Sequence, residues 1–273
     1  MSGVFLLYII TLAKNIAIAF FMRWILRVIQ IIYCIYAFSL FALLTLIAFP
    51  LVMLSLLLGY HRGGNLIYII CKYWAATWFL LIGVRHKEIF ESPHDTNKQW
   101  VFVANHISYM DIPPIVLMAP QPIRILGKYE SSKIPIFGWI YRAAVIMVDR
   151  SNAETRAQSF RALKTALNRG ISIFLFPEGT FNMQENQPLK NFYDGAFRLA
   201  IETGTPIKPM ILPDTIDRLH FSSLFTLTPG ICRVIFLEEV TVTGLSAEDI
   251  PHLRDKVYSI MDQALRKYRR YPS

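Results

Sequence analysis

Two stretches decide the fold: Trp100-Val101-Phe102-Val103-Ala104-Asn105-His106-Ile107-Ser108-Tyr109-Met110-Asp111 and Ile171-Ser172-Ile173-Phe174-Leu175-Phe176-Pro177-Glu178-Gly179-Thr180. Each is a short apolar run rich in β-branched and aromatic residues that stops abruptly at a polar turn, the pattern of a buried strand ending at a loop. Similar runs stand at Ile123–Leu126, Val145–Val148, Ile207–Leu212 and Cys232–Leu237. Between them lie segments with the 3.6-residue period: Asn152 to Arg169, closed by Gly170, then Phe192 to Thr203 and Ala247 to Tyr268. Strands that alternate with helices predict an α/β fold, a mixed and largely parallel sheet flanked by helices. No internal repeat or low-complexity linker interrupts residues 85–273, which read as one such domain.

The residues before it are of another kind. Over the 273-residue chain 54% of residues are hydrophobic and 17% charged, fewer charges than the quarter or so of soluble domains. Residues 1–87 hold seven Lys and Arg and no Asp or Glu, leaving 21 basic against 19 acidic residues in the rest. The net charge of +9 therefore marks an apolar, acid-free N-terminus suited to anionic lipid headgroups, and no nucleic acid is expected as a partner. From Val28 to Gly59 no residue carries a formal charge. Such a run is long enough to cross a bilayer, and Pro50 within it predicts a kink or the turn of a re-entrant pair. The preceding run, Val4 to Met22, is broken by Lys14-Asn15 and is the weaker span. No small-residue cleavage site follows a short apolar core, so these residues are expected to stay in the mature chain. Basic residues flank both ends of the long run, Arg23 and Arg27 before it and Arg62 after; a hairpin dipping into one leaflet accounts for that symmetry. Residues 65–84 carry Lys72 among Tyr68, Tyr73, Trp74, Trp78 and Phe79, a mixture that suits a helix at the headgroup boundary, the alternative being a buried core helix. The organisation expected is thus membrane-associated helices over 1–84 and an α/β domain over 85–273. Cys34, Cys71 and Cys232 lie far apart with no CxxC spacing and read as free thiols.

The two polar turns carry the chemistry. Carboxyl ends of strands are where open α/β sheets place ligands. His106 there is a candidate general base, and Asp111 a candidate for holding its far nitrogen. On a regular helix two residues five apart point about 140° from each other, so the pair meets only if the chain turns between them. A plain N-cap role for Asp111 conflicts with Pro113 and Pro114, which have no N–H to offer; an earlier start, with Ser108 as cap and Asp111 in a capping box, is the alternative. The second turn supplies one carboxylate, one hydroxyl and backbone donors at Glu178, Gly179 and Thr180. Two such turns, 72 positions apart, predict one cleft on one edge of the sheet. His61, His86, His94, His220 and His252 show no metal-ligand spacing, and no metal is expected. Ser108 lacks the GxSxG setting of a nucleophilic serine.

Together, Asn105-His106, Asp111 and Phe176-Pro177-Glu178-Gly179-Thr180 resemble the motifs of the membrane-bound glycerolipid acyltransferases, specifically the 1-acyl-glycerol-3-phosphate acyltransferases. The likeness extends to Lys128-Tyr129-Glu130, Lys133 to Trp139, Val145 to Arg150 and Thr205 to Pro209, in the family's order over roughly residues 85–215. It implies that His106, oriented by Asp111, deprotonates a lysophospholipid hydroxyl, which attacks the thioester of acyl-CoA or acyl-carrier protein. By the same likeness Glu178, Gly179 and Thr180 would position the acceptor, and Lys128 and Arg150 would meet its anionic headgroup. No cofactor beyond the acyl donor is implied, and the expected place is the inner membrane with the active domain on its cytoplasmic face. Lys190 is a third headgroup candidate from charge alone, against a solvated surface lysine. The chain departs from the pattern at Phe181, where the family usually has arginine; this opens a second acceptor class, a non-phosphate lysolipid such as a lyso-aminolipid. A non-catalytic lipid-binding protein and a thioesterase that hands the acyl group to water are the readings from other classes.

Overall fold

The computed structural model describes residues 2–119, 122–149, 151–184 and 186–271, with side chains left out at 2–14, 16, 17, 60 and 61. It opens with α1 (Ser2–Leu56) and α2 (Gly59–Leu81), followed by strands β1 (Val84–Phe90) and β2 (Val101–Ala104) and helix α3 (Ile112–Met118). Then come β3 (Arg124–Lys128), α4 (Phe137–Ala144), β4 (Val145–Val148), α5 (Ala153–Asn168) and β5 (Ile173–Leu175). The chain closes with α6 (Gly195–Thr203), β6 (Ile207–Ile211), α7 (Thr215–Arg218), β7 (Gly230–Phe236) and α8 (Ile250–Tyr268).

The seven strands form one sheet in the order β1-β7-β6-β2-β5-β3-β4. Every neighbouring pair is parallel except β6 with β7. The mixed, mostly parallel sheet anticipated from the alternating pattern is therefore present. β2 and β5 are immediate neighbours in parallel register, Val101 opposite Ile173, so the turns that follow them open on the same edge.

Helices cover both faces. On one, Leu163 of α5, Phe197 of α6 and Leu265 of α8 bury against Val103, Leu175, Ile211 and Ile235. On the other, Ile115 and Met118 of α3 and Tyr68 of α2 bury against Phe102, Phe174, Val234 and Phe236. The Tyr68 hydroxyl donates to the Val116 carbonyl at 2.9 Å, which ties α2 to α3.

Three local expectations are revised. Pro50 is neither a break nor the hairpin turn: α1 runs unbroken through it and through Lys14-Asn15, and the turn falls at Leu57-Leu58, before Gly59 with its φ of +76°. Ala48 and Val52, two residues either side of Pro50 and about one turn apart, bury against Ile67 of α2 and Ile140 of α4, and this packing holds the helix where the proline removes one backbone bond. Between α2 and the polar stretch 91–98 the chain forms β1, a strand the sequence reading passed over; it lies at the sheet's edge beside β7. Helix α2 is a core helix on one side, where Ile67, Tyr68, Ala75, Trp78 and Phe79 are buried, while Tyr73, Leu80 and Leu81 are exposed. Ile18–Leu56 is long and apolar enough to cross a membrane by length and composition.

Candidate active site

The chain leaves β2 at Ala104 and is anchored at once: Asn105 accepts from Leu212 N–H at 2.7 Å and donates to the Leu212 carbonyl at 3.2 Å. The next residue, His106, begins a tight loop. Ser108 caps a single 3-10 turn at 109–111 by accepting from Met110 N–H, with Asp111 completing the capping box, and its own hydroxyl donates to the Leu219 carbonyl at 2.5 Å. This turn folds Asp111 back under His106, the only way two residues five apart can meet. The His106 Nδ1 to Asp111 Oδ2 distance is 2.8 Å. The same oxygen accepts from the backbone N–H of Ile107 at 2.8 Å and of Ser108 at 2.9 Å. Asp111 is fully buried, and its Oδ1 has no partner among the described residues. The capping role and the histidine role, considered as alternatives, are held by one carboxylate at once.

The second turn closes over this loop. Gly179 N–H donates to the Phe176 carbonyl at 3.1 Å, a four-residue turn with proline in its second place, and Gly179 continues at a φ of +74° that glycine adopts without strain. Glu178 points inward. Its Oε1 accepts from His106 N–H and its Oε2 from Lys190 N–H, both at 2.8 Å, while Asn182 N–H donates back to the His106 carbonyl at 2.7 Å. Burial pushes the Glu178 carboxyl up to about 8, against the pull of the two N–H groups. The side chain anticipated as a contact for the acceptor is thus engaged with the loops themselves.

Aromatic rings frame the imidazole. Phe176 stacks on His106 with centroids 3.7 Å apart and planes 8° from parallel, and Phe181 meets it edge-on at 4.3 Å. Phe181 in turn packs edge-on against Tyr109 at 4.8 Å. With Nδ1 committed to Asp111, Nε2 is the nitrogen left for a substrate proton; no hydrogen bond to it occurs among the described residues. The structure therefore brings His106, Asp111, Glu178 and Gly179 together. Thr180 is exposed beside Phe181. Lys128 ends β3, two strands from β2 and so roughly 10 Å along the same edge; its side chain is largely exposed and sits 3.6 Å from Glu130. Lys190 is tied in through its backbone, and Arg150 lies outside the described residues. Among the described residues no group of three His, Cys, Asp or Glu could hold a metal ion. Two contributors went unassigned in the sequence: the anchor Asn105 and the stacking ring Phe176. Their signal was adjacency, each standing next to a polar turn at the end of a buried strand.

With the fold and this geometry in place, comparisons with known proteins agree. Residues 82–213, a little under half of the chain, match the family model described as Acyltransferase. It is similar to 1-acyl-sn-glycerol-3-phosphate acyltransferase alpha of Mus musculus, 28% identical over 162 residues, or 58% of this chain and 55% of that one. The protein named 1-acyl-sn-glycerol-3-phosphate acyltransferase of Salmonella typhimurium is 28% identical over 170 residues, 60% of this chain and 66% of its own length. The matched regions thus span a little over half to about two thirds of these relatives. The crystal structure of the 1-acyl-sn-glycerophosphate (LPA) acyltransferase of Thermotoga maritima shares the fold, with a TM-score of 0.68 at 22% identity over 90% of this chain and 97% of that one.

Proposed function

We propose that this protein transfers a fatty acyl chain from acyl-CoA or acyl-carrier protein to the free hydroxyl of a lysophospholipid, foremost 1-acyl-glycerol-3-phosphate, giving phosphatidic acid. The observation that carries the reading is the 2.8 Å His106–Asp111 contact at the open edge of the sheet. Asp111 Oδ2 already accepts two backbone N–H groups, so it accepts from Nδ1–H as well, which leaves Nε2 as the base. The acceptor hydroxyl gives its proton to Nε2 as its oxygen attacks the thioester carbonyl carbon. Collapse of the tetrahedral intermediate breaks the C–S bond, and the imidazolium returns the proton to the departing thiolate. Asp111 stabilises the transient imidazolium. Phe176 and Phe181 hold the ring plane and keep water from two of its sides. Lys128, Lys190 and Arg150 are the basic groups proposed to meet an anionic headgroup, with Gly179 and Thr180 at the rim beside the acceptor. The active domain would face the cytoplasm, where acyl donors are soluble, with α1 in the inner membrane.

A second acceptor class is favoured by one contact: Phe181 places a ring edge, not a cation, against His106. A lysolipid without a phosphomonoester, such as a lyso-aminolipid, suits that wall. Both are tested by giving the purified protein labelled acyl-CoA or acyl-carrier protein and a panel of lysolipids, beside His106→Ala. General base catalysis contributes about 10²–10⁴-fold, so the variant is expected to lose that much rate while retaining its fold. Product that forms equally in the variant would overturn the role of His106. Thioester cleavage indifferent to added lysolipid would favour hydrolysis, and the absence of product from either protein a lipid-binding role.

A further inference from the structure

After β3 the chain enters α4 through Lys133-Ile134-Pro135-Ile136-Phe137-Gly138-Trp139. Ile136 has φ 62° and ψ −59°, the only positive φ outside glycine among the described residues. The Phe137 N–H donates to the Pro135 carbonyl at 2.6 Å, which makes this a γ-turn of the strained hand. A β-branched residue is a poor occupant of that region, and such strain persists only where the surroundings impose it. The loop's mounting is rigid. Phe137 turns inward to Phe41 of α1 at 5.9 Å, and Ile140 buries against Ala48 and Val52 of α1 and Ile67 of α2. A Cβ on Gly138 would overlap the Ser132 carbonyl, so the chain comes this close only with glycine.

What the turn presents is apolar: Ile134, Ile136 and Trp139 are 50%, 43% and 57% exposed. The strained turn thus stands among large apolar side chains that are about half exposed. Cations flank them. The Arg142 guanidinium lies 5.6 Å from the Trp139 ring while donating to the Ser132 carbonyl at 2.8 Å, and the Lys133 ammonium lies 5.4 Å from the Tyr129 ring. Lys128 and Glu130 offset each other. Apolar tips with a tryptophan and basic residues behind them match the interface of an anionic bilayer, and the helix they lead into packs on α1, whose Leu43, Leu46 and Ile47 are also exposed.

We propose that the 133–139 loop is a wedge that seats in the headgroup layer of the bilayer entered by α1, with Ile134, Ile136 and Trp139 inserted and Lys133 and Arg142 among the lipid phosphates. The inference rests on the membrane placement of α1 and not on acyl transfer. Because β3 and β2 end on the same edge, seating the wedge sets the mouth beside His106 against the lipid.

The test is depth. In the full chain with Cys34, Cys71 and Cys232 replaced by alanine, Ile136→Cys, Trp139→Cys and, on the exposed side of α8, Lys256→Cys are spin-labelled singly. Each is reconstituted into nanodiscs containing one third phosphatidylglycerol, and the labels' accessibility to oxygen and to a water-soluble nickel chelate is compared. Labels at 136 and 139 are expected to favour oxygen severalfold over nickel relative to the label at 256. A label at 136 as accessible to nickel as that at 256 would overturn the wedge. Shielding from both reagents would also overturn it, placing the loop against protein such as a second copy of the chain. Ile136→Gly is the companion: relief of strain should raise the unfolding midpoint in detergent while transfer falls in nanodiscs and not in micelles, and a lowered midpoint would contradict the strain. Depth needs no turnover, so an inactive protein with a buried label loses the reaction and keeps the wedge.

Discussion

Replacing Glu178 by glutamine changes one charge and almost no volume, and its effect on stability should reverse sign across the pH scale. The carboxyl is buried and rises from 4.5 to about 8 in the folded protein, chiefly by loss of solvation. Between those values the folded chain holds a proton that the unfolded chain has released. The stability associated with this group is thus full below pH 4.5 and is lost as pH rises toward 8. At about 1.4 kcal/mol per pH unit the whole swing is on the order of 5 kcal/mol. Glutamine does not titrate, so that slope disappears. However, each carboxylate oxygen faces a backbone N–H, from His106 and from Lys190, and an amide can turn its oxygen to only one of them. The other donor is left unsatisfied in a buried place at about 1–3 kcal/mol. Glu178→Gln should therefore be less stable than the parent at pH 5 and as stable or more so at pH 9. Guanidinium unfolding in mild detergent, followed by the fluorescence of buried Trp100 at several pH values, measures both curves. Parallel curves would refute the reasoning, because Glu178 would then titrate alike in the folded and unfolded chains.

Asp111→Asn should keep the turn at 109–111 but remove the charge that orients and supports the imidazole; kcat is expected to fall on the order of 10²–10⁴-fold, with KM for the acyl donor little changed, in steady-state assays. Phe181→Arg exchanges a ring edge for a guanidinium beside His106. A hydrogen bond to a charged group is worth about 1.5–3 kcal/mol, so KM for a phosphomonoester acceptor should drop on the order of 10- to 100-fold, while that for an uncharged lysolipid stays level; equal changes for both acceptors would separate Phe181 from headgroup choice.

The central strands were legible because strands buried on both faces need unbroken apolar sequence, and β2 and β5 are such runs. β1 was not. Val84-Arg85-His86-Lys87-Glu88-Ile89-Phe90 places four consecutive polar residues between apolar ends, and its pairing with β7 joins segments over a hundred residues apart, which no local pattern announces. The wedge was hidden for a related reason: Lys133 to Trp139 entered the sequence reading only as part of the family likeness, and only the backbone shows that Ile136 is held at a positive φ.

The two carboxylates show most sharply where reading by residue type stops. Asp111 and Glu178 are both acidic, both follow central strands on one edge and both are buried, and residue type alone does not say what each one holds. What separates them is the donor each receives. Asp111 accepts from an imidazole as well as from backbone, so its carboxylate is joined directly to a ring side chain. Glu178 accepts only from backbone amides of two different loops, groups that never titrate, so its bonds fix distances and exchange no protons. One loop carries His106 and the other carries Phe181 and Lys190. By joining them through the backbone N–H groups of His106 and Lys190, Glu178 sets how far the Phe181 and Lys190 side of the mouth stands from His106 Nε2.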